Sequence, residues 1–138
     1  SEVQVVINDF LTKYKKGKQL STLTTKIGPI QQAGFIDICL DIAFDDDSEG
    51  EEGMSVYLRT PQYDGKVNNA KTKFVVLSKG GDEFISYTLG KERLNFFDGW
   101  GTFLLEKRHF NACIRDDGSL ELRCMAHFED FSRSDMVL

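Results

Sequence analysis

An apolar–polar alternation with a period of two residues runs through most of the chain. It is clearest in FIDICLDI, where Ile36, Ile38, Leu40 and Ile42 alternate with polar or small residues. Successive side chains of a β-strand point to opposite faces of its sheet, so this spacing predicts strands with one buried face. A helix would need apolar residues at about every third or fourth position.

Other segments repeat this pattern, separated by clusters of Gly, Asp, Asn and Pro. They are EVQVVI, MSVYLRT, TKFVVLS, EFISYTL and SLELRCMAHF, with the β-branched segment STLTTKI. The sequence KGGD at 79–82 signals a hairpin between two of them. Only FLLEKRHF, residues 103–110, has a helical mixture. We therefore predict an all-β fold, an antiparallel β-sandwich of about eight strands with one short helix.

Length and cysteine content limit the class of protein. The chain has 138 residues, which fits one domain with one core. No apolar run approaches the roughly 20 residues of a membrane span, and the N-terminal segment lacks the features of a signal peptide. The three cysteines have no Cys-x-x-Cys spacing, which favours a reducing compartment. We expect an intracellular protein, cytoplasmic or nuclear, that contacts no membrane.

The net charge of −5 is concentrated in one segment. DDDSEGEE, residues 45–52, carries six acidic residues and no basic ones. A nucleic-acid surface needs a dense positive stripe, so we expect no nucleic-acid partner. We interpret 45–52 and the basic KYKKGK at 13–18 as solvated loops. The acidic segment lacks the EF-hand pattern, and His109 and His127 have no recognised ligand spacing, so we expect no metal and no cofactor.

Two aromatic residues are candidates for binding. The single tryptophan, Trp100, stands between Gly99 and Gly101, and glycines let a turn fold tightly and let a ligand's main chain approach. The indole either forms a wall of a binding groove, with Phe96, Phe97 or Phe103 packing beneath it, or plugs the core. Tyr57 lies on the face of its strand that points away from the core, where it is either a lone exposed side chain or part of a binding surface.

Four segments together resemble the MATH (meprin and TRAF homology) domain. MSVYLRT, AKTKFVVLS, FFDGWGTFLLEKRHF and IRDDGSLELRCMAHF follow in the family's order. They are similar to its LSVYL strand, its Trp-Gly turn and its last strand, while TKIGPI is similar to a segment found especially in nematode members. The resemblance covers nearly the whole chain and implies a MATH domain at residues 1–131.

The resemblance also implies a function. MATH domains are eight-stranded sandwiches without catalytic chemistry that bind short extended peptides in a shallow groove on one sheet. Carried over residue by residue, the groove positions fall on Tyr57, Trp100 and Gly101, with Phe97 and Gly99 beside them.

Other groove positions depart from the family's pattern. Thr72 stands where an aromatic residue is expected, and Thr102 stands where a Phe follows Trp-Gly. Phe103 replaces a Lys, and Glu92 falls near the position of another aromatic residue. We expect the groove to take a peptide different from the Ser/Thr-rich motif of one known MATH-BTB member. The predicted peptide-binding residues are Tyr57, Trp100, Gly101, Thr102, Thr72, Phe97 and Gly99.

The final segment FSRSDMVL resembles the junction between a MATH domain and a BTB domain. Residues 132–138 are thus interpreted as a linker or as the first residues of a BTB domain. In MATH-BTB proteins the MATH domain captures substrate proteins, while the BTB domain dimerises and recruits a cullin-type ubiquitin ligase. This implies a substrate adaptor, homodimeric at full length and monomeric as an isolated domain.

Two other hypotheses stay open. The first is a MATH/TRAF-like scaffold or targeting domain with no link to a cullin ligase. The second is an enzyme, for which scattered histidines and carboxylates are the only support.

Overall fold

The computed structural model describes the backbone of residues 2–15, 17–21, 25–30, 34–59, 65–95, 100–127 and 131–133, and the side chains of residues 2–15, 17–20, 37–59, 71–90 and 101–127. Two short α-helices are α1 (Phe10–Lys13) and α2 (Phe110–Cys113), and a 3-10 turn at Lys107–His109 precedes α2. The strands are β1 (Glu2–Ile7), β2 (Gln19–Ser21), β3 (Thr25–Ile30), β4 (Gly34–Asp46), β5 (Glu52–Arg59), β6 (Gly65–Leu77), β7 (Glu83–Asn95), β8 (Trp100–Glu106), β9 (Leu120–His127) and β10 (Phe131–Arg133).

These strands form two antiparallel sheets. In sheet A, β6 pairs with β7 along one edge and with β9 and then β10 along the other, and β9 pairs with β1. In sheet B, β4 pairs with β2, β3 and β5, and β5 pairs with β8. Because β2 with β3 and β9 with β10 share one edge each, the described strands fill four positions per sheet. The predicted antiparallel β-sandwich is confirmed.

The core lies between the inner faces of the two sheets. In β4, β5 and β9 the side chains that the alternation places on the inner face are buried, and four side chains of the opposite face are buried as well: Cys39, Asp41, Ser55 and Glu121. A buried aliphatic side chain contributes roughly 1.5–3 kcal/mol, so the inner-face rows are a large part of the driving force for folding. The rows are Ile38, Leu40 and Ile42; Met54, Val56 and Leu58; and Leu120, Leu122 and Cys124.

The three cysteines, Cys39, Cys113 and Cys124, are buried free thiols. Burial raises the pKa of the Cys113 thiol to about 11 and that of Cys124 to about 12. Both thiols therefore stay protonated near neutral pH and pack as small apolar groups.

An aromatic cluster packs beneath α1 and α2. The Phe10 ring meets Phe44 and Phe110 edge-on, at centroid distances of 5.8 and 5.0 Å. Tyr14 packs against the same two rings, and its hydroxyl donates a hydrogen bond to Glu52. Burial and the neighbouring Glu52 raise the pKa of the Tyr14 hydroxyl. The segment predicted as a basic loop thus has an anchored aromatic residue within it.

The acidic segment at 45–52 is only partly the solvated loop that we predicted. Asp45 and Asp46 end β4, and Glu52 begins β5, so these acids belong to a hairpin. The turn between them is closed by Asp47, whose Oδ1 accepts backbone hydrogen bonds from Glu49 and Glu51, both at 2.8 Å. An aspartate that binds the backbone two residues on is a common turn former.

The helix predicted at 103–110 is misplaced. Residues up to Glu106 continue β8, and the helical turns run from Lys107 to Cys113. The pairing of β5 with β8 shifts by one residue between Met54 and Ser55, so that Leu104 has no partner. This bulge buries Leu104 and Leu105 in succession, and two consecutive buried residues break the period of two. The sequence pattern therefore looked helical.

Candidate functional site

Tyr57 projects from the outer face of sheet B. Its neighbours Val56 and Leu58 are buried in the core, whereas Tyr57 is 37% exposed. Its Cα partners are Asp41 on β4 and Gly101 on β8. Residues directly opposite each other on antiparallel strands share a face, so these three positions lie together on the outer face of sheet B.

Gly101 allows β8 to approach Tyr57 closely. A Cβ at position 101 would lie 1.8 Å from the carbonyl oxygen of Val56, and 2.6 Å from both Cα and Cδ1 of Tyr57. Two of these atoms belong to the backbone and cannot turn aside as a side chain can. Glycine is thus required at this position as the strands are packed.

In a second aromatic–glycine pair the two strands exchange roles, with the ring on β8 and the glycine on β5. Phe103 of β8 lies opposite Ser55, and a Cβ at Gly53 of β5 would meet its Cζ at 2.6 Å. Each of the two strands thus contributes one aromatic ring that lies over a glycine of the other strand. Aromatic rings that cover a cross-strand glycine shield the backbone beneath them. We call the four residues Gly53, Tyr57, Gly101 and Phe103 the aromatic ledge.

An ion pair flanks the aromatic ledge. Arg59 Nε donates to Asp41 Oδ2 at 2.6 Å, and its Nη2 donates to Oδ1 at 3.2 Å. The Asp41 side chain is 4% exposed, and that of Arg59 is 45% exposed. The hydrogen bond to Asp41 raises the pKa of the Arg59 guanidinium. This bidentate contact fixes the orientation of the Arg59 guanidinium beside Tyr57.

Two predicted groove residues lie elsewhere. Thr102 is opposite Val56, out of phase with Tyr57, and its hydroxyl donates to the Phe103 carbonyl oxygen at 3.2 Å. Thr72 belongs to β6 in sheet A and is 1% exposed. It is in phase with the buried Phe74, so the period of two places it on the inner face. The structure therefore does not support the prediction that Thr72 lines a groove with Tyr57.

The remaining predictions concern the Trp-Gly turn. Position 100 is opposite Leu58 in the pairing of β8 with β5, and the Trp100 side chain lies outside the described residues. Phe97 and Gly99 also lie outside the described residues.

Sequence reasoning missed the contributions of Asp41 and Gly53 to this surface, whereas it already placed Phe103 near the groove. Asp41 and Arg59 both fall on the non-core faces of their strands, which was visible in the sequence. Their contact depends on which residue of β4 pairs with which residue of β5, and alternation does not determine that pairing.

Other surfaces formed by the described residues are weaker candidates for a functional site. A shallow depression of about 560 Å³ lies on sheet A, between Lys71, Lys73, Met125 and His127. Among the described residues no group of histidine, cysteine or acidic side chains is placed to hold a metal ion. The same residues include no helix long and apolar enough to cross a membrane.

The edge of β8 completes the candidate site. Among the described strands β8 pairs only with β5, so it presents one edge of sheet B. An edge strand can hydrogen-bond an added extended chain. Exposed Tyr57, oriented Arg59 and this edge can together bind a main chain and one of its side chains. No protein-family model and no curated protein matches the chain.

Proposed function

We propose that this domain binds extended peptide segments of other proteins, which add to the edge of β8 and contact Tyr57. The Tyr57–Gly101 pair is the observation that carries the proposal. The exposed Tyr57 ring lies on β5, the strand next to the edge strand β8. Because residue 101 is a glycine, no side chain of β8 stands between this ring and the edge.

The binding mode follows from the chemistry of strand addition. Main-chain hydrogen bonds to the edge provide affinity, and contacts of alternate peptide side chains provide selectivity. Since Gly101 has no side chain, a peptide side chain on the outer face reaches the Tyr57 ring across β8. Arg59 keeps guanidinium donors beyond the two that bind Asp41, and these suit a carboxylate or carbonyl of the peptide.

The sequence resemblance to MATH domains supports the same surface, because Tyr57 and Gly101 are two of its carried-over groove positions. On this basis we propose that the chain is a MATH domain that recruits substrates to a cullin-type ubiquitin ligase through a BTB domain. The alternative is a MATH/TRAF-like scaffold or targeting domain. Co-purification of the full-length protein with a cullin separates the two, since only the adaptor requires the ligase.

The peptide proposal is tested by selecting ligands from a peptide array and measuring their affinity in solution. Tyr57→Ala should weaken binding by roughly 1–3 kcal/mol, the usual loss for an aromatic anchor. Tyr87→Ala is the matched control, because Tyr87 is an exposed tyrosine on sheet A. Thermal unfolding verifies that both variants fold. Equal affinities of the two folded variants would overturn the assignment of the site.

A further inference from the structure

Two arginines share one buried carboxylate at the start of β9. The Glu121 side chain is 7% exposed, and each of its oxygens accepts a hydrogen bond from a different guanidinium. Arg115 Nη1 donates to Oε1 at 3.3 Å, and Arg123 Nε donates to Oε2 at 2.9 Å. Arg115 Nε also donates to Ser119 Oγ at 2.9 Å. The shared carboxylate therefore fixes the orientation of both guanidinium groups.

Both guanidinium groups keep most of their donors. An arginine side chain has five N–H donors, and within the described residues Arg115 uses two of them and Arg123 uses one. Glu2 approaches Arg123 only to 3.9 Å, which is beyond hydrogen-bond distance. The two side chains are 35% and 39% exposed, so their remaining donors are accessible to a ligand.

The two arginines line a cavity of about 190 Å³ at one end of sheet A. Lys79 and Gly80, in the turn between β6 and β7, and the buried Leu77 and Cys113 also line it. A 3.0 Å hydrogen bond from the Lys79 amide to the Ala112 carbonyl oxygen holds this turn against α2. Pockets for whole small molecules have about 300–1,000 Å³, so this cavity suits a single chemical group.

The side chains that line the cavity carry net positive charge. Lys79, Arg115 and Arg123 are three cations, and Glu121 is the one carboxylate among the described lining residues. Both Glu121 oxygens already accept hydrogen bonds from the arginines. Lys79 forms no ion pair within the described part of the chain. Three positive charges and one negative charge leave a net charge of about +2 at neutral pH.

We propose that this cavity binds the phosphate group of a phosphorylated serine or threonine in a peptide of another protein. A phosphate monoester carries a charge of roughly −1.5 to −2 and three acceptor oxygens, which match the net charge and the unused donors. A carboxylate has a single charge and two oxygens, and it would leave part of both unmatched. Arginine is suited to phosphate because its planar fork can bind two oxygens at once.

An acidic depression adjoins the cavity and favours a peptide over free phosphate. Lys79 and Arg115 line both, and Asp116 and Asp117 line only the depression. Asp117 Oδ1 accepts hydrogen bonds from Ser119 N at 2.9 Å and Ser119 Oγ at 2.6 Å, whereas Asp116 is exposed. These carboxylates repel a free anion and attract a cation. The charge pattern therefore matches a peptide with a basic residue beside the phosphorylated one.

Peptide pools test the ligand. Each labelled peptide has one phosphoserine followed by lysine, with random residues elsewhere, and matched pools carry serine or glutamate in place of phosphoserine. In fluorescence anisotropy the phosphoserine pool should bind at least about tenfold more tightly than either matched pool, and inorganic phosphate should compete only at concentrations at least about tenfold higher. Equal binding of the phosphoserine pool and either matched pool would overturn the choice of phosphate. Equally effective inorganic phosphate would overturn the choice of a peptide.

Lys79→Glu tests the position of the site. Lys79 is exposed, so this variant should fold and should lose at least about tenfold in affinity for the phosphoserine pool. Lys71→Glu is the matched control, because Lys71 is an exposed lysine of β6 that does not line the cavity and the net charge changes equally. Thermal unfolding verifies that both variants fold. Equal losses in the two variants would overturn the assignment of the cavity.

The phosphate site is independent of strand addition at β8. It belongs to sheet A, whereas Tyr57 lies on sheet B. Tyr57→Ala should leave the affinity for the phosphoserine pool unchanged, and Lys79→Glu should leave unchanged the affinity for unphosphorylated peptides selected at Tyr57. Failure of one proposal is thus distinguishable from failure of the other.

Discussion

The Cα atoms of Tyr57 and Gly101 are partners across β5 and β8, and the Tyr57 ring occupies space that a side chain at position 101 would need. The exposed aromatic residue and the glycine are therefore one structural unit. The glycine lets the edge strand approach, and the strand in turn supports the ring from one side. The arrangement brings an open strand edge within reach of an aromatic contact.

The first prediction concerns Gly101→Ala. A methyl group there would lie 1.8 Å from the Val56 carbonyl oxygen, so β8 must move away from β5. We expect a loss of about 2–4 kcal/mol in the free energy of unfolding, measured in urea, as for other overpacked sites. Gly90→Ala on β7 is the matched control, because a methyl group there meets no atom within 4 Å. Its stability should change by less than about 0.5 kcal/mol. Equal losses in both variants would contradict the close approach.

The second prediction concerns Trp100. The family resemblance placed Tyr57 and Trp100 in one groove, but position 100 is opposite the buried Leu58 and position 101 is opposite Tyr57. The backbone register thus favours a role for Trp100 in stability. We expect Trp100→Ala to lower the free energy of unfolding by about 3–5 kcal/mol, as for large aromatic residues in cores. An unchanged stability with weakened peptide binding would instead place the indole in the groove.

The sequence predicted the parts of the fold that depend on local pattern. The inner faces of β4, β5 and β9 follow from a period of two, which is a property of each strand alone. The phase of Thr72 with Phe74 was equally visible, and it conflicted with the groove position implied by the family resemblance. The structure places Thr72 on the inner face with Phe74, as the alternation indicates.

The candidate site depends on relationships between strands, which alternation does not determine. The partners of Tyr57 and the contact of Asp41 with Arg59 depend on the registers of β4 with β5 and of β5 with β8. The bulge at Leu104 adds one unpaired residue, and this residue makes the sequence at the end of β8 resemble that of a helix. A single inserted residue changes which side chain faces outward from that point on.

The third prediction concerns the pair of Asp41 and Arg59. The Asp41 carboxylate is almost fully buried, so Arg59→Met removes two hydrogen bonds from a charge that water scarcely reaches. We expect a loss of about 1–3 kcal/mol in the free energy of unfolding. The double variant Asp41→Asn with Arg59→Met should recover part of this loss, because the buried charge is then absent. A double-mutant cycle measures the coupling, and additive losses would show that the pair contributes nothing.

The fourth prediction concerns stability at alkaline pH. Burial raises the pKa of the Cys124 thiol from 9.0 to about 12. Below pH 9 the thiol is protonated in both the folded and the unfolded chain, so it adds no pH dependence. Between pH 9 and about 12 the unfolded chain loses this proton first, and the free energy of unfolding should fall by about 1.4 kcal/mol per pH unit.

Cys124→Ala isolates this contribution. Near pH 8 the variant should be less stable than the wild type by a constant amount, the cost of the small cavity that replaces the sulfur. Above pH 9 the difference should shrink, because only the wild type loses stability through this thiol. The raised pKa of the Tyr14 hydroxyl acts in the same direction in both proteins and cancels from the comparison. Urea unfolding at several values between pH 8 and about pH 10.5 gives both curves. Parallel curves across this range would show that ionisation of Cys124 is not coupled to unfolding.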